Sequence, residues 1–67
     1  MKNILESLRR ERRISQEELA EKMGVSRQTI YALEKGKYNP SILLAFKLSE
    51  YFGLSIEEIF IYEGDTT

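Results

Sequence analysis

Between Ser15 and Gly36 the sequence SQEELAEKMGVSRQTIYALEKG holds two helix starts and two helix stops. They are so closely spaced that only two short helices and one tight turn fit. Ser15-Gln16-Glu17-Glu18 is a capping box, in which the serine hydroxyl and the glutamate carboxylate satisfy each other's unpaired backbone donors. The helix that follows ends at Gly24, which suits the left-handed C-cap conformation that a Cβ would penalise. Val25 begins a turn of about three residues, and Ser26 offers a new N-cap for a helix from about Arg27 to Lys35, ended by Gly36. Leu19, Met23, Val25, Ile30 and Leu33 fall where they can fill the angle between the two helices, and the small Ala20 lets them approach.

The rest of the chain is read from the same signals. With 67 residues there is room for one small domain with one core, spanning 1–67. Residues Asn3 to Arg13 read as a basic amphipathic helix, with Ile4 and Leu8 on one face and Leu5 beside them. Arg9, Arg10, Arg12 and Arg13 are then a solvated face, some pairing with Glu6 or Glu11. Lys37-Tyr38-Asn39-Pro40 is a loop, and Ser41 caps a fourth helix through about Phe52 whose expected buried stripe is Ile42, Ala45, Leu48 and Phe52. Gly53 closes it. Ser55-Ile56-Glu57-Glu58 is a second capping box and begins a short fifth helix carrying Ile59 and Phe60. Ile61-Tyr62-Glu63 is β-prone and is expected to form a short strand against Met1 to Asn3, and Gly64 to Thr67 reads as a frayed end. The expected fold is all-α, a compact five-helix domain with the 16–35 motif at its centre and a short terminal strand pair.

Composition excludes whole classes of chemistry. The chain has no cysteine and no histidine, so disulfide frameworks, zinc knuckles, thiol nucleophiles and imidazole-based catalysis are ruled out. Glu57 and Glu58 are adjacent on a helix and point in different directions, with no nucleophile beside them. No catalytic residue, cofactor, metal or small-molecule ligand is therefore expected. No apolar stretch has the length of a signal peptide or a membrane span, so a cytoplasmic protein without a membrane partner is expected. All ten Lys and Arg lie between Lys2 and Lys47, a stretch with six Glu and a net charge of +4, whereas Leu48 to Thr67 carries five acids and no base. A polyanion would be drawn to the first two-thirds and repelled by the tail.

Two short helices joined by a tight Gly-containing turn form a helix-turn-helix, whose second helix can enter the major groove of DNA. From Ser15 to Phe60, the sequence SQEELAEKMGVSRQTIYALEKGKYNPSILLAFKLSEYFGLSIEEIF resembles the lambda repressor/Cro-like family, also called the xenobiotic-response-element family of prokaryotic regulators. The resemblance implies a homodimer on a pseudo-palindromic double-stranded DNA operator and regulation of transcription, usually repression. It also implies that Arg27 and Gln28 contact base edges, with Thr29 and Tyr31 nearby, through the bidentate pairings that Arg makes with guanine and Gln with adenine. Ala32 stands where some relatives place a polar residue; it meets either a thymine methyl or nothing. Gln16 corresponds to a family phosphate contact at a helix N-terminus, and Lys35, Lys37, Tyr38 and Asn39 to the loop laid on the DNA backbone. Arg10 and Ser26 complete the expected phosphate set. The apolar tail, Leu54, Ile56, Ile59, Phe60, Ile61 and Tyr62, is denser than one small core needs and is the expected dimerisation region, residues 54–63. Two other readings stay open: an antitoxin whose tail holds a toxin, and a coactivator-like protein-interaction module on the same fold.

Overall fold

Serines open four of the five helices found among the described residues. In the computed structural model, which describes residues 1–63, the elements run β1 (Lys2–Asn3), α1 (Leu5–Glu11), α2 (Gln16–Met23), α3 (Arg27–Glu34), α4 (Ile42–Phe52), α5 (Ile56–Ile59) and β2 (Phe60–Ile61). The end expected to fray, Gly64 to Thr67, lies outside these residues. Ser15, Ser26, Ser41 and Ser55 each accept the backbone N–H three residues on, at 3.0 to 3.2 Å. Glu18 and Glu58 return the bond to the serine N–H at 2.9 and 2.8 Å, completing the two capping boxes. Each such cap is worth about 1 kcal/mol of helix stability.

The helix ends are equally local. After α2 the Gly24 N–H donates to the Glu21 carbonyl at 3.2 Å and the Val25 N–H to Ala20 at 3.0 Å, a Schellman closure with Gly24 at φ 73°. A Cβ on Gly24 would come no nearer than 3.8 Å to any neighbour, so glycine is needed there for its backbone conformation and not for space. Lys47 of α4 donates to the Met23 carbonyl at 3.3 Å, placing a positive charge at the negative end of α2.

Closure of α1 uses the same two bonds, Arg13 N–H to Arg10 at 3.0 Å and Ile14 N–H to Arg9 at 3.3 Å, with Arg13 at φ 58°. No glycine marks this stop, so α1 is shorter than the expected Asn3 to Arg13. At its other end Asn3 belongs to β1, and its side chain accepts from the Leu5 N–H at 3.0 Å while donating to the Leu33 carbonyl of α3 at 2.7 Å. Ile4 is consequently outside the helix and exposed, and the buried face of α1 is Leu5 and Arg9 with Leu8 half-buried.

The core is Leu5, Leu19, Ala20, Met23, Ile30, Leu33, Leu44, Ala45, Leu48, Phe52, Ile59 and Phe60. In α4 the buried stripe is Leu44, Ala45, Leu48 and Phe52, whereas Ile42, expected in it, is 75% exposed. Ser41 fixes the start of α4, and Ile42 lies six residues before Leu48, out of phase with it on a 3.6-residue helix. The tail also departs from expectation. Phe60 ends α5 in extended backbone, and the strand begins there, one residue before the expected Ile61, pairing Lys2 with Ile61 and Asn3 with Phe60.

One polar cluster sits inside this packing. Arg9 Nε donates to Glu34 Oε2 at 2.7 Å and Nη2 to Oε1 at 3.2 Å, a bidentate pair whose side chains are 10% and 2% exposed. Arg9 Nη1 donates to the Ile14 carbonyl at 2.9 Å. The Glu34 hydrogen bonds, with its charge, hold the Arg9 guanidinium above the ordinary arginine value against the opposing pull of burial. Arg9 is therefore not part of the solvated face assigned to it from sequence. Arg10 is: it is exposed and pairs with Glu6 at 2.8 Å. The Arg12 guanidinium lies over the rings of Tyr51 and Phe52, 5.0 and 5.1 Å from their centroids.

Three outcomes are expected in solution. Arg13→Gly removes the left-handed strain at the end of α1 and should stabilise the domain by about 0.5–1 kcal/mol, seen as a rise of a few degrees in thermal melting. Arg9→Met leaves the buried Glu34 carboxylate without its counter-charge, and should lower unfolding free energy by about 3–5 kcal/mol in urea titrations. Arg9→Met with Glu34→Leu should recover most of that loss.

Candidate nucleic-acid interface

The packing of α2 against α3 buries Leu19, Ala20, Met23, Ile30 and Leu33, with Val25 half-buried at the turn. The remaining face of α3 is left to solvent. Its N-terminal residues Arg27 and Gln28 are exposed, Thr29 and Ala32 are half-buried, and Tyr31 is exposed. Ser26 is exposed as well, but its hydroxyl is engaged in capping, accepting from the Thr29 N–H and sharing a 3.0 Å hydrogen bond with the Thr29 hydroxyl.

Arg27 is coupled to the start of α2. Its Nη1 donates to Gln16 Oε1 at 3.3 Å, while Gln16 Nε2 donates to Glu34 Oε1 at 3.0 Å. A carboxylate can only accept, so this second bond fixes which end of the Gln16 amide points inward. The chain of contacts runs from the buried Arg9 through Glu34 and Gln16 to the exposed Arg27. One Gln16 N–H and most of the five guanidinium donors of Arg27 remain available.

Around this chain lies an open depression of about 520 Å³, bordered by Arg10, Gln16, Arg27, Tyr31 and Lys35, with Glu6 and Glu17 also on its edge. Lys35 holds its ammonium 5.6 Å from the Tyr31 ring centroid. Sequence had suggested Arg10, Gln16 and Lys35 as phosphate contacts and Arg27 and Tyr31 as base contacts; the fold gathers all five into one surface. Lys37, Tyr38 and Asn39 lie apart from it in the exposed loop after α3.

Of the six tail residues expected at a dimer interface, Ile59 and Phe60 are in the chain's own core, at 0% and 5% exposure, and have no surface to give. Leu54 and Ile56 are half-buried against that core, and Ile61 and Tyr62 are exposed. Sequence reasoning missed three apolar residues that the fold leaves open on α4: Ile42, Leu43 and Phe46, the last two 63% and 57% exposed. The signal was present, because α4 is apolar on more of its circumference than one buried stripe can cover. It missed Arg9 and Glu34 too. Arg9 follows Leu5 by four residues and Glu34 follows Ile30 by four, so each continues a buried stripe, where a charge requires a partner.

Among the described residues no group of acidic side chains could hold a metal ion, and no helix is long and apolar enough to cross a membrane. The sequence profile of the helix-turn-helix family matches residues 5–59. A protein named as an uncharacterized HTH-type transcriptional regulator of Methanocaldococcus jannaschii is 60% identical over 65 residues, 97% of this chain and 98% of that one. The similarly named YgzD of Bacillus subtilis is 48% identical over 65 residues, with the same coverage of each. The cryptic phage CTXphi transcriptional repressor RstR of Vibrio cholerae is 38% identical over 55 residues, 82% of this chain and 50% of that one. With its two-helix unit at residues 16–34 and its profile match over residues 5–59, the chain belongs to the lambda repressor/Cro-like helix-turn-helix family of DNA-binding, non-enzymatic transcriptional regulators.

Proposed function

We propose that this regulator is a cytoplasmic repressor that binds a pseudo-palindromic operator as a homodimer, α3 of each copy reading one half-site from the major groove. The observation that carries this reading is the exposed pair Arg27 and Gln28 at the N-terminus of α3, with the Gln16 amide held beside Arg27 at the start of α2. In this arrangement Arg27 and Gln28 reach base edges, with Thr29 and Tyr31 beside them. Gln16, Arg10, Ser26, Lys35, Lys37, Tyr38 and Asn39 meet the sugar-phosphate backbone on either side. Repression follows from occupancy of a promoter, and the RstR relative, whose name marks it as a repressor, supports it.

Homodimerisation draws support from the exposed apolar surface. Ile61 and Tyr62 in the tail, and Ile42, Leu43 and Phe46 on α4, are more than a monomer of this size would be expected to leave in water. A two-fold pairing through such a surface would set the two copies of α3 about one duplex turn, roughly 34–36 Å, apart. Ile61→Asp and Phe46→Asp should shift the protein from dimer to monomer in sedimentation at micromolar concentration. A monomer in the unmodified protein, or capture of a different protein by this surface in its place, would favour the antitoxin or interaction-module readings.

Selection of bound sequences from a random duplex pool should return a two-fold symmetric consensus, and its affinity should fall steeply with salt as counterions are released. On that consensus, Arg27→Ala and Gln28→Ala should each weaken binding by about 1–3 kcal/mol, at different base pairs, with little change on unrelated duplex. Melting temperatures should hardly move, because both side chains are exposed. Variants that keep the full ratio of specific to non-specific affinity would show that α3 is not the reader.

A further inference from the structure

Two open hollows meet at Lys47 of α4, and no residue assigned to DNA lines either of them. The smaller, about 160 Å³, is walled by Met23, Val25, Leu43 and Leu44, with Gly24 of the turn between α2 and α3 also on its lining. Ser41 lines it too, but its hydroxyl is engaged in capping α4, accepting from the Leu44 N–H at 3.1 Å. The larger, about 410 Å³, is lined by Lys22, Met23, Glu50 and Tyr51 besides Lys47. Lys47 makes one hydrogen bond, from Nζ to the Met23 carbonyl at 3.3 Å, and an ammonium carries three donors, so two remain for another acceptor. The ammonium lies beside the turn itself, 3.8 Å from where a Cβ of Gly24 would stand. Neither Lys47 nor Lys22 forms an ion pair among the described residues, with Glu50 or with any other acid.

We propose that the two hollows form one binding site for a small carboxylate with an apolar body, its charge held by Lys47 and Lys22 and its body lodged among Val25, Leu43 and Leu44. Four apolar walls and an engaged hydroxyl give a polar body no partner for the water it would lose, whereas an apolar body gains by leaving water. The smaller volume is about five times the ~30 Å³ share of one water molecule, room for a single ring or a short chain. The charge of the ligand follows from the larger hollow. Two ammonium groups line it against one carboxylate, Glu50, so the local excess is positive and an anion is favoured. A carboxylate accepts the two donors that Lys47 has left, in charge-assisted hydrogen bonds roughly twice as strong as neutral ones. Leu43, 63% exposed at the start of α4, is covered when the site is filled. The occupant touches Gly24 and Val25, the turn that sets α3 against α2, and covers no residue assigned to DNA. Ligand and duplex are therefore bound side by side and not in competition.

The test is a titration of the isotope-labelled 67-residue chain with benzoate, followed by NMR. Benzamide, which lacks the charge, and inorganic phosphate, which lacks the apolar body, are the controls. Benzoate should give saturable shifts at the Gly24 and Val25 amides and at the Leu43 and Leu44 methyls. Each control should bind about tenfold more weakly, the scale of one charged hydrogen bond or of a buried apolar group. Lys47→Met keeps the stem and removes the ammonium, so its benzoate affinity should fall to that for benzamide. Leu43→Asn, at an exposed position that leaves the core intact, should weaken benzoate and benzamide alike. Absence of saturable shifts with benzoate, or shifts that follow Arg10, Arg27 and Lys35 in place of Gly24 and Val25, would overturn the inference. Equal affinity for benzoate and benzamide would overturn it too, as would a benzoate affinity unchanged in Lys47→Met. No DNA is present, so none of these outcomes bears on the reading of α3.

Discussion

The ion pair between Arg9 and Glu34 holds three helices in register. Glu34 is at the end of α3 and Arg9 on the buried face of α1, while Arg9 donates to the Ile14 carbonyl before α2 and Glu34 accepts from the Gln16 amide within it. Burying two charges is expensive unless nearly every donor and acceptor finds a partner. Here no buried side-chain polar atom among the described residues lacks one. The energetic value of such a pair is small compared with an apolar core of the same volume, but its directional bonds join α1, α3 and the start of α2. Apolar packing between α2 and α3 tolerates small rotations; a bidentate fork does not.

That rigidity is passed outward to the proposed DNA-binding face. Because Gln16 donates to Glu34, its carbonyl oxygen is turned to Arg27, and the first side chain of α3 is held from below. Ordering long side chains on binding costs affinity, so a pre-positioned arginine retains more of its hydrogen-bond energy. The other side of α3's solvent face is built differently, around a hollow lined by Gln28, Thr29, Ala32 and Tyr38, the last on a loop returned by the turn at Gly36. Adjacent residues in sequence, Arg27 and Gln28, therefore act in different surroundings, one within a polar network and one beside an apolar hollow.

Much of the fold was legible before any coordinates. Ser15, Ser26, Ser41 and Ser55 open their helices where expected, and Gly24 and Gly53 close theirs, since caps and left-handed turns are decided by groups within a few residues of each other. The early stop of α1 was not legible, because Arg13 takes a conformation that sequence normally marks with glycine. Nor was the choice of buried stripe on α4. Ile42 lies three residues from Ala45 and Leu44 four from Leu48, so each fits a helical stripe, and which of them is covered depends on the elements packed against α4.

The sequence by itself determined where α2 to α5 start, where α2 and α4 stop, and the two-helix unit with its apolar wedge, because each depends on short-range hydrogen bonding or on helical period. Only the tertiary structure decided that Arg9 is a core residue paired with Glu34, 25 positions away, that Tyr38 walls a hollow on α3, and that Ile59 and Phe60 belong to the interior while Ile42, Leu43 and Phe46 face water. The physical reason is common to all three. Burial and pairing are properties of surfaces brought together from distant parts of the chain, and the same side chain is favourable in the core or in solvent according to what is placed against it.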